Sequence, residues 1–590
     1  MRNRTYGGVR GRKTKVGRKL LRFPPTRFPF RARNVQVEGE YQNKKTALMG
    51  KFIIYQMLPR LWGNIGGKNI KNGTLEENRC GKFSSIDTIT LEYLKSLGVS
   101  YVWYTGIIRH ATAEDACGCI PSSKDWVKGR AGSPYSITDY YDVNPYLADE
   151  PDKRMDEFRD LVRRTHEAGL KVIIDFVPNH VARDYGRFTA EHPAPTGMAA
   201  LGATDDKSVH WKDTNDFFYY PEIPLTLPVK NQTYVEMPAM ASGNTYTASP
   251  GVNDWYDTVK LNYCDFHTET WEKMYDIVNF WAEQGVDGFR CDMVELVPPA
   301  FFKWLIEKIK KDRPNLLFVA EVYQKTLYSK YIRDIGFDLL YDKSGIYDTL
   351  RAIVEKNVND SGVPVEDWQS AKRITWNWQS LGELQPYMLN FLENHDEQRF
   401  ASDFFGGNVK NSYAALYASL FLNTAPFMLY AGEEVGERGM DNEGFSGTDG
   451  RTSIFDWWAP SSLTRLYRYI HGETGALSHD EQETLEFYRK ALRFASEDDA
   501  VCKGTFYDLC YCNSSSDGFN PDRHFAFLRD YEDETLLIVC NFSKVDAEMK
   551  ISIPEHAFNW MKMPETGELN HNSPISVHVN AMNGTIIKLC

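Results

Sequence analysis

The sequence predicts an α/β chain built on a (β/α)8 TIM barrel, with a subdomain inserted after the third strand and an antiparallel β-sandwich at the C-terminus. Three observations carry this. Eight short apolar runs alternate with helical stretches over about 400 residues, the pattern of a parallel barrel. One gap, between the third and fourth runs, is much longer than the others and rich in Trp, Tyr, Asn, Pro and Gly. After Trp458 the helical alternation gives way to closely spaced strands joined by turns. A doubly wound open sheet would also alternate strands and helices, but no Gly-rich phosphate loop follows the first run.

Taken in order, residues 1–48 read as a basic disordered tail. Nine Arg and three Lys precede the first acid, Glu38, and Pro24, Pro25 and Pro29 interrupt the little apolar sequence there. The tail has no continuous apolar stretch of the secretory kind. Residues 49–475 form the predicted barrel. Its strands are expected at 52–58, 101–107, 171–177, 286–293, 317–323, 338–341, 388–393 and 426–431. Apolar residues at helical spacing predict helices at 156–168, 268–284 and 300–311. The insertion, about 181–258, is expected over the barrel mouth. Residues 476–590 read as a helix, 478–495, followed by strands at 524–529, 535–541, 547–553 and 576–589.

Composition excludes several classes. A net charge of −12 argues against general nucleic-acid binding. No apolar run approaches the roughly 18 residues of a membrane span. Ten cysteines in 590 residues are not a disulfide framework. Cys117/Cys119 and Cys510/Cys512 lack a second pair at zinc spacing. With no secretory segment in residues 1–48, and Cys291 expected as a thiol facing the helical layer, a cytoplasmic protein is expected, or a periplasmic or secreted one if the true N-terminus carries a signal.

Function in such a barrel collects at the C-terminal ends of the strands. There stand Asp175, Asn179 and His180 after the third strand, Arg290 and Asp292 on the fourth, Glu321 ending the fifth, and His395 and Asp396 after the seventh. Strand side chains alternate with a period of two, so Arg290 and Asp292 share a face. A cation beside a carboxylate keeps it ionised, as a nucleophile requires. Glu321 sits among Phe318, Val319, Ala320 and Val322 with no adjacent cation, which should hold its proton on. One ionised and one protonated carboxyl facing one bond is the equipment of glycoside hydrolysis. Asp396, His180 and His395 are then placed to grip sugar hydroxyls. Each residue alone has a plainer reading: Asp175 and Asn179 as turn formers, the histidines as structural, Arg290–Asp292 as an ordinary ion pair.

The stretches Asp175–His180, Gly288–Glu295, Glu321–Tyr323 and Phe391–Asp396 together resemble the four signature regions of glycoside hydrolase family 13, the α-amylase family. The resemblance implies a retaining double displacement with Asp292 as nucleophile, Glu321 as acid/base and Asp396 as transition-state stabiliser. It places Arg290, His180 and His395 in the sugar subsite at the cleavage point. Tyr135 is similar to the tyrosine that stacks on that sugar, and Asp184, Trp211 and Trp255 are weaker candidates for substrate contacts. The implied substrates are starch-type α-1,4-glucans or malto-oligosaccharides. Transglycosylation or isomerisation by the same residues is the runner-up, and a non-catalytic binding relative is the third reading.

The chain also departs from the pattern. Glu295 and Leu296 stand where typical α-amylases have a Lys-His pair. Val259–Tyr263, with Leu261 read as replacing the usual calcium-binding Asp, is closer to the Pro-Lys-Leu-Asn form of neopullulanases and cyclomaltodextrinases. These departures argue against the usual calcium site, leaving Asn144 and Asn179 as the oxygen ligands to hand. No cofactor is required by this reading.

A chain starting at Met49 is expected to fold and turn over substrate like the full one, because the tail has no apolar face with which to offset the entropy of ordering. Melting temperature and turnover of the two chains test this. A shortened chain several degrees less stable would show that the tail packs on the barrel.

Overall fold

The computed structural model describes residues 51–117, 120–187, 192–355, 366–564, 566 and 569–590. The tail 1–48, Met49 and Cys119 lie outside them. Eight parallel strands close into a barrel. They are Ile53–Met57, Val99–Tyr104, Lys171–Phe176, Gly288–Cys291, Leu317–Ala320, Leu339–Tyr341, Met388–Phe391 and Phe427–Tyr430, here numbered one to eight. Each pairs with its neighbours in chain order, and strand one closes the ring by pairing with both strand two and strand eight. Strands buried on both faces read as continuous apolar runs, and all five residues of strand one are buried.

Several strands end earlier than expected, and these endings place the chemistry. The run at 286–293 narrows to Gly288–Cys291, and 317–323 narrows to Leu317–Ala320. After Asp292 the backbone turns left-handed at Met293, with φ of 44°, and the ladder cannot continue. Asp292 and Glu321 therefore stand just past their strand ends. Each is still tied to the preceding strand, Asp292 N–H to Phe176 O at 2.9 Å and Glu321 N–H to Cys291 O at 3.2 Å.

The helices pack by periodicity. Glu269–Glu283 buries Trp271, Met274, Ile277, Val278 and Trp281, one face at three- and four-residue spacing. Pro299–Asp312 starts on Pro299, whose missing N–H costs nothing at that position, and buries Phe301, Phe302, Leu305, Ile306 and Ile309. His479–Glu497 is entered through a capping box of Ser478 and Glu481.

The inserted segment is stitched shut at its base. His180–Ala182 pairs antiparallel with Thr258–Lys260, joining the two ends of the insertion beside strand three. Its interior is held to the barrel's helical layer by the buried pair Lys273–Asp216 at 2.7 Å, reinforced by Thr270 Oγ1 donating to Asp216 at 2.7 Å.

The C-terminal region forms a four-stranded antiparallel sheet of Thr505–Asp508, His524–Tyr531, Glu534–Asn541 and Asn583–Lys588, with a separate ladder of Ala547–Ile551 and Ile575–Val579. The single strand expected at 576–589 is thus two strands in two sheets. The break falls at Met582, left-handed with φ of 54°, where the Asn541 amide donates to both Val579 O and Asn580 O at 3.1 Å. Thr505–Asp508 was not expected at all, being short and half-exposed. Gly584 lies flat against the barrel helix Tyr413–Phe421; a Cβ there would meet the Tyr417 ring at 2.5 Å.

Phe289, on the outward face of strand four, is buried between Phe176 and Phe318, with ring centroids at 6.4 and 5.9 Å. Phe289→Ala is expected to cost about 3–5 kcal/mol, read as a lower denaturant midpoint. A loss below about 1 kcal/mol would show that the outer layer collapses onto the gap.

Candidate active site

Arg290 stands at the centre of the barrel mouth, 1 % exposed. Its Nη1 is 2.6 Å from Asp292 Oδ1, and its Nη2 is 3.0 Å from Glu321 Oε2. Asp175 Oδ1 lies 3.8 Å and Asp396 Oδ2 3.9 Å from the same guanidinium. The rings of Trp103, Tyr135 and Tyr341 flank it at 5.5, 5.3 and 5.7 Å, and Nε donates to Tyr341 Oη at 3.3 Å. Burial works against this cation, yet the surrounding carboxylates push its pKa further above the usual range.

Two sequence expectations change here. Glu321 does have a cation beside it: strand five pairs with strand four in the register Arg290↔Val319, which brings Glu321 alongside the guanidinium. For Asp292, burial outweighs its arginine. Its pKa is raised by desolvation, Arg290 opposes the rise, and the negative charge of Glu321 adds to it. Arg290 thus limits the cost of ionising Asp292 without removing it.

Asp175 is far more than a turn former. It is buried and accepts from Trp103 Nε1 at 3.1 Å, Tyr135 Oη at 3.1 Å and Gly106 N–H at 3.3 Å, while burial raises its pKa to about 6. The Tyr135 ring stacks on His395 at 5.3 Å, with Oη 2.6 Å from Nε2. The other nitrogen, Nδ1, lies 2.8 Å from Gln56 Nε2, which faces it with a donor and so assigns the N–H to Nε2. Burial, then the charge of Arg290, hold His395 well below the usual histidine range, so the ring is neutral. Asp396 Oδ2 is 3.2 Å from Nε2 and is the most open of the carboxyls, 39 % exposed.

The structure therefore brings Asp292, Glu321, Asp396, Arg290, Tyr135 and His395 into one cluster. His180 lies on the insertion side. Its ring is 5.0 Å from that of Trp255, and burial, with the charges of Lys260 and Lys128, lowers its pKa to about 3. Asp184 bonds Ser122 Oγ at 2.7 Å and pairs with Arg187 at 3.6 Å, a structural role, while Trp211 is half-exposed on the insertion. Sequence reading missed Gln56, Trp103 and Tyr341. Gln56 offered a signal, as the one polar residue within an apolar strand.

The calcium ligands suggested by sequence are occupied by protein groups. Lys260 Nζ donates to Asn179 Oδ1 and, at 2.8 Å, to Leu296 O. Its ammonium sits where a cation binding Asn179 would sit, so Lys260, rather than Leu261, is the residue that fills that place. Burial lowers the Lys260 pKa to about 7. Asn144 caps the turn Pro145–Leu147 through Tyr146 N–H at 3.2 Å and faces His110 with its amide. Among the described residues Asp139, Asp142 and His192 also cluster, but Asp142 is bound by Arg109 at 2.9 Å and Arg154 at 2.7 Å, and His192 by Asp139 at 2.8 Å. The residues at Asn179 do not fit calcium.

A closed parallel barrel whose mouth gathers four carboxyls around one arginine carries the paired acids that carbohydrate cleavage uses. The α-amylase catalytic-domain family matches residues 76–504, and the chain belongs to that family, glycoside hydrolase family 13. It is an enzyme, a glycoside hydrolase. Similar proteins include "Alpha-amylase 3" of Dictyoglomus thermophilum, 23% identical over 77% of this chain and 80% of that protein. A cyclomaltodextrinase of a Bacillus species is 23% identical over 83% and 73%, and "Neopullulanase 2" of Thermoactinomyces vulgaris 24% over 66% and 57%. Among solved structures, AmyP in complex with maltose superposes with a TM-score of 0.62 at 16% identity, over 92% of this chain and 98% of that one.

Chelator treatment is expected to leave activity and melting temperature nearly unchanged. Lys260→Ala, which strands the buried acceptor Asn179 Oδ1, should cost about 1–3 kcal/mol. A large chelator-induced loss that calcium reverses would overturn this assignment.

Proposed function

We propose that the enzyme hydrolyses α-1,4-glucosidic bonds of starch-type glucans or malto-oligosaccharides with retention of configuration. One observation carries the reading: Asp292 and Glu321 are held by the two terminal nitrogens of one guanidinium. Retaining pairs stand about 5–5.5 Å apart, whereas inverting pairs need roughly 6.5–9.5 Å to seat a water. Sharing one guanidinium favours the shorter separation.

In the first step Asp292 attacks the anomeric carbon. The bond from that carbon to the glycosidic oxygen breaks, and Glu321 gives its proton to the departing oxygen. In the second step Glu321 takes a proton from water as the water oxygen displaces Asp292. Asp292 must be ionised to attack, and the contact with Arg290 offsets part of its burial cost. Asp396 offers an acceptor to ring hydroxyls as positive charge develops on the sugar, and His395, its Nε2–H bonded to Tyr135 Oη, holds the tyrosine ring beside it. The Tyr135 ring supplies an apolar face for the same sugar. The names of the cyclomaltodextrinase and neopullulanase relatives agree with an α-glucan substrate.

Product analysis on starch, pullulan, cyclodextrin and maltotriose, with NMR of the first-released anomer, tests this. The α-anomer is expected, and Asp292→Asn should lower kcat by at least about a thousandfold with the melting temperature retained. Initial release of the β-anomer would sink the mechanism. Products longer than the substrate would show a sugar hydroxyl replacing water as acceptor.

A further inference from the structure

We propose that Tyr323 is a positioning residue for the acid/base carboxyl, holding the proton-bearing oxygen of Glu321, and that Glu295 locks Tyr323 in place. This rests on the hydrolytic reading above.

The two oxygens of Glu321 have different surroundings. Oε2 faces two groups that can only donate, the Met293 N–H at 2.9 Å and Arg290 Nη2 at 3.0 Å. A proton on Oε2 would point at one of them. The acid's proton must therefore sit on Oε1, and Oε1 is bonded by the hydroxyl of Tyr323. A phenol can donate and accept. While Glu321 is ionised and waiting for a proton from water, Tyr323 donates to Oε1. Once Glu321 is protonated, the hydroxyl can accept from Oε1–H until the glycosidic oxygen takes its place. The bond thus keeps Oε1 in one position through both halves of the reaction. Tyr323 holds its own proton throughout. Burial, then the negative charges of Glu321 and Asp396, raise its pKa well above the usual range.

What fixes Tyr323 is Glu295, the residue that stands where typical α-amylases have a lysine. Glu295 Oε2 accepts the Tyr323 N–H at 3.3 Å, and Oε1 accepts the Gln324 N–H at 3.0 Å. One carboxylate clamps two successive amides of the loop after strand five. A lysine side chain has no acceptor and cannot do this.

The test compares native enzyme with Tyr323→Phe, Glu295→Ala and Glu295→Gln on whichever substrate the native enzyme cleaves, with kcat and kcat/KM measured across pH and melting temperature measured alongside. Tyr323→Phe should lower kcat about tenfold through lost positioning. It should also move the alkaline limb of kcat/KM to higher pH, because it removes a donor that favours the ionised carboxyl. Glu295→Ala should reproduce both effects, and Glu295→Gln, with one acceptor left, should show them weakly. A native limb and native kcat in Tyr323→Phe would overturn the proposal, as would a loss confined to KM. If Tyr323→Phe does not fold, an unmoved limb in Glu295→Ala overturns it. Should the native enzyme cleave none of the panel, the hydrolytic reading fails, and this proposal is still decided by 13C NMR titration of Glu321. A midpoint that rises in Tyr323→Phe supports it and an unmoved one overturns it.

Discussion

A permanent cation buried among carboxyls is the constraint on which the barrel mouth depends. Arg290 lies within 4 Å of Asp175, Asp292, Glu321 and Asp396. Four carboxyls that close would repel one another and shed their charge without it. Guanidinium cannot be deprotonated in place, and its planar fork reaches two carboxylates at once. The three rings around it, from Trp103, Tyr135 and Tyr341, exclude water and fix its plane. Asp175 then does for the rings what Arg290 does for the acids. It ties Trp103 and Tyr135 together from a third strand, and Tyr135 in turn carries His395.

The base of the insertion solves a second electrostatic problem. Asn179 O accepts the Leu261 N–H, and the Asn179 side chain spans Gly243 O and Lys260. Closing the insertion over strand three leaves oxygens facing inward, and unpaired buried acceptors are costly. A covalently attached ammonium satisfies them without recruitment from solution. The insertion is therefore part of the folded chain's own bonding, and the Trp255–His180 contact that it brings to the mouth is built in.

The two stretches that differ from typical α-amylases serve neighbouring loops. Lys260 reaches Leu296 O, and Glu295, one residue earlier, reaches the loop after strand five. Glu295 supplies an acceptor side chain there, and Leu296 is an apolar residue whose carbonyl is used. The short helical turn Val294–Leu296 thus connects the insertion on one side to Tyr323 and Glu321 on the other.

The sequence by itself determined the barrel, because strands buried on both faces and helices buried on one leave distinct apolar periods that need no tertiary knowledge to see. It also determined which acids gather, since every barrel strand delivers its C-terminal residues to the same mouth. Three-dimensional packing decided what those acids experience. The contact of Glu321 with Arg290 depends on the register between strands four and five, and the raised pKa of Asp292 depends on how much water the finished mouth excludes. Gln56, Trp103 and Tyr341 looked like core because apolar strands carry such residues without functional consequence. Likewise Lys260 and Leu261 are adjacent in the chain, and only the fold shows that the lysine, not the leucine, takes a cation's place. Alternation along a strand is local physics. Register, burial and the partner of a long side chain are properties of distant segments brought together, and a single sequence carries no record of the distances between them.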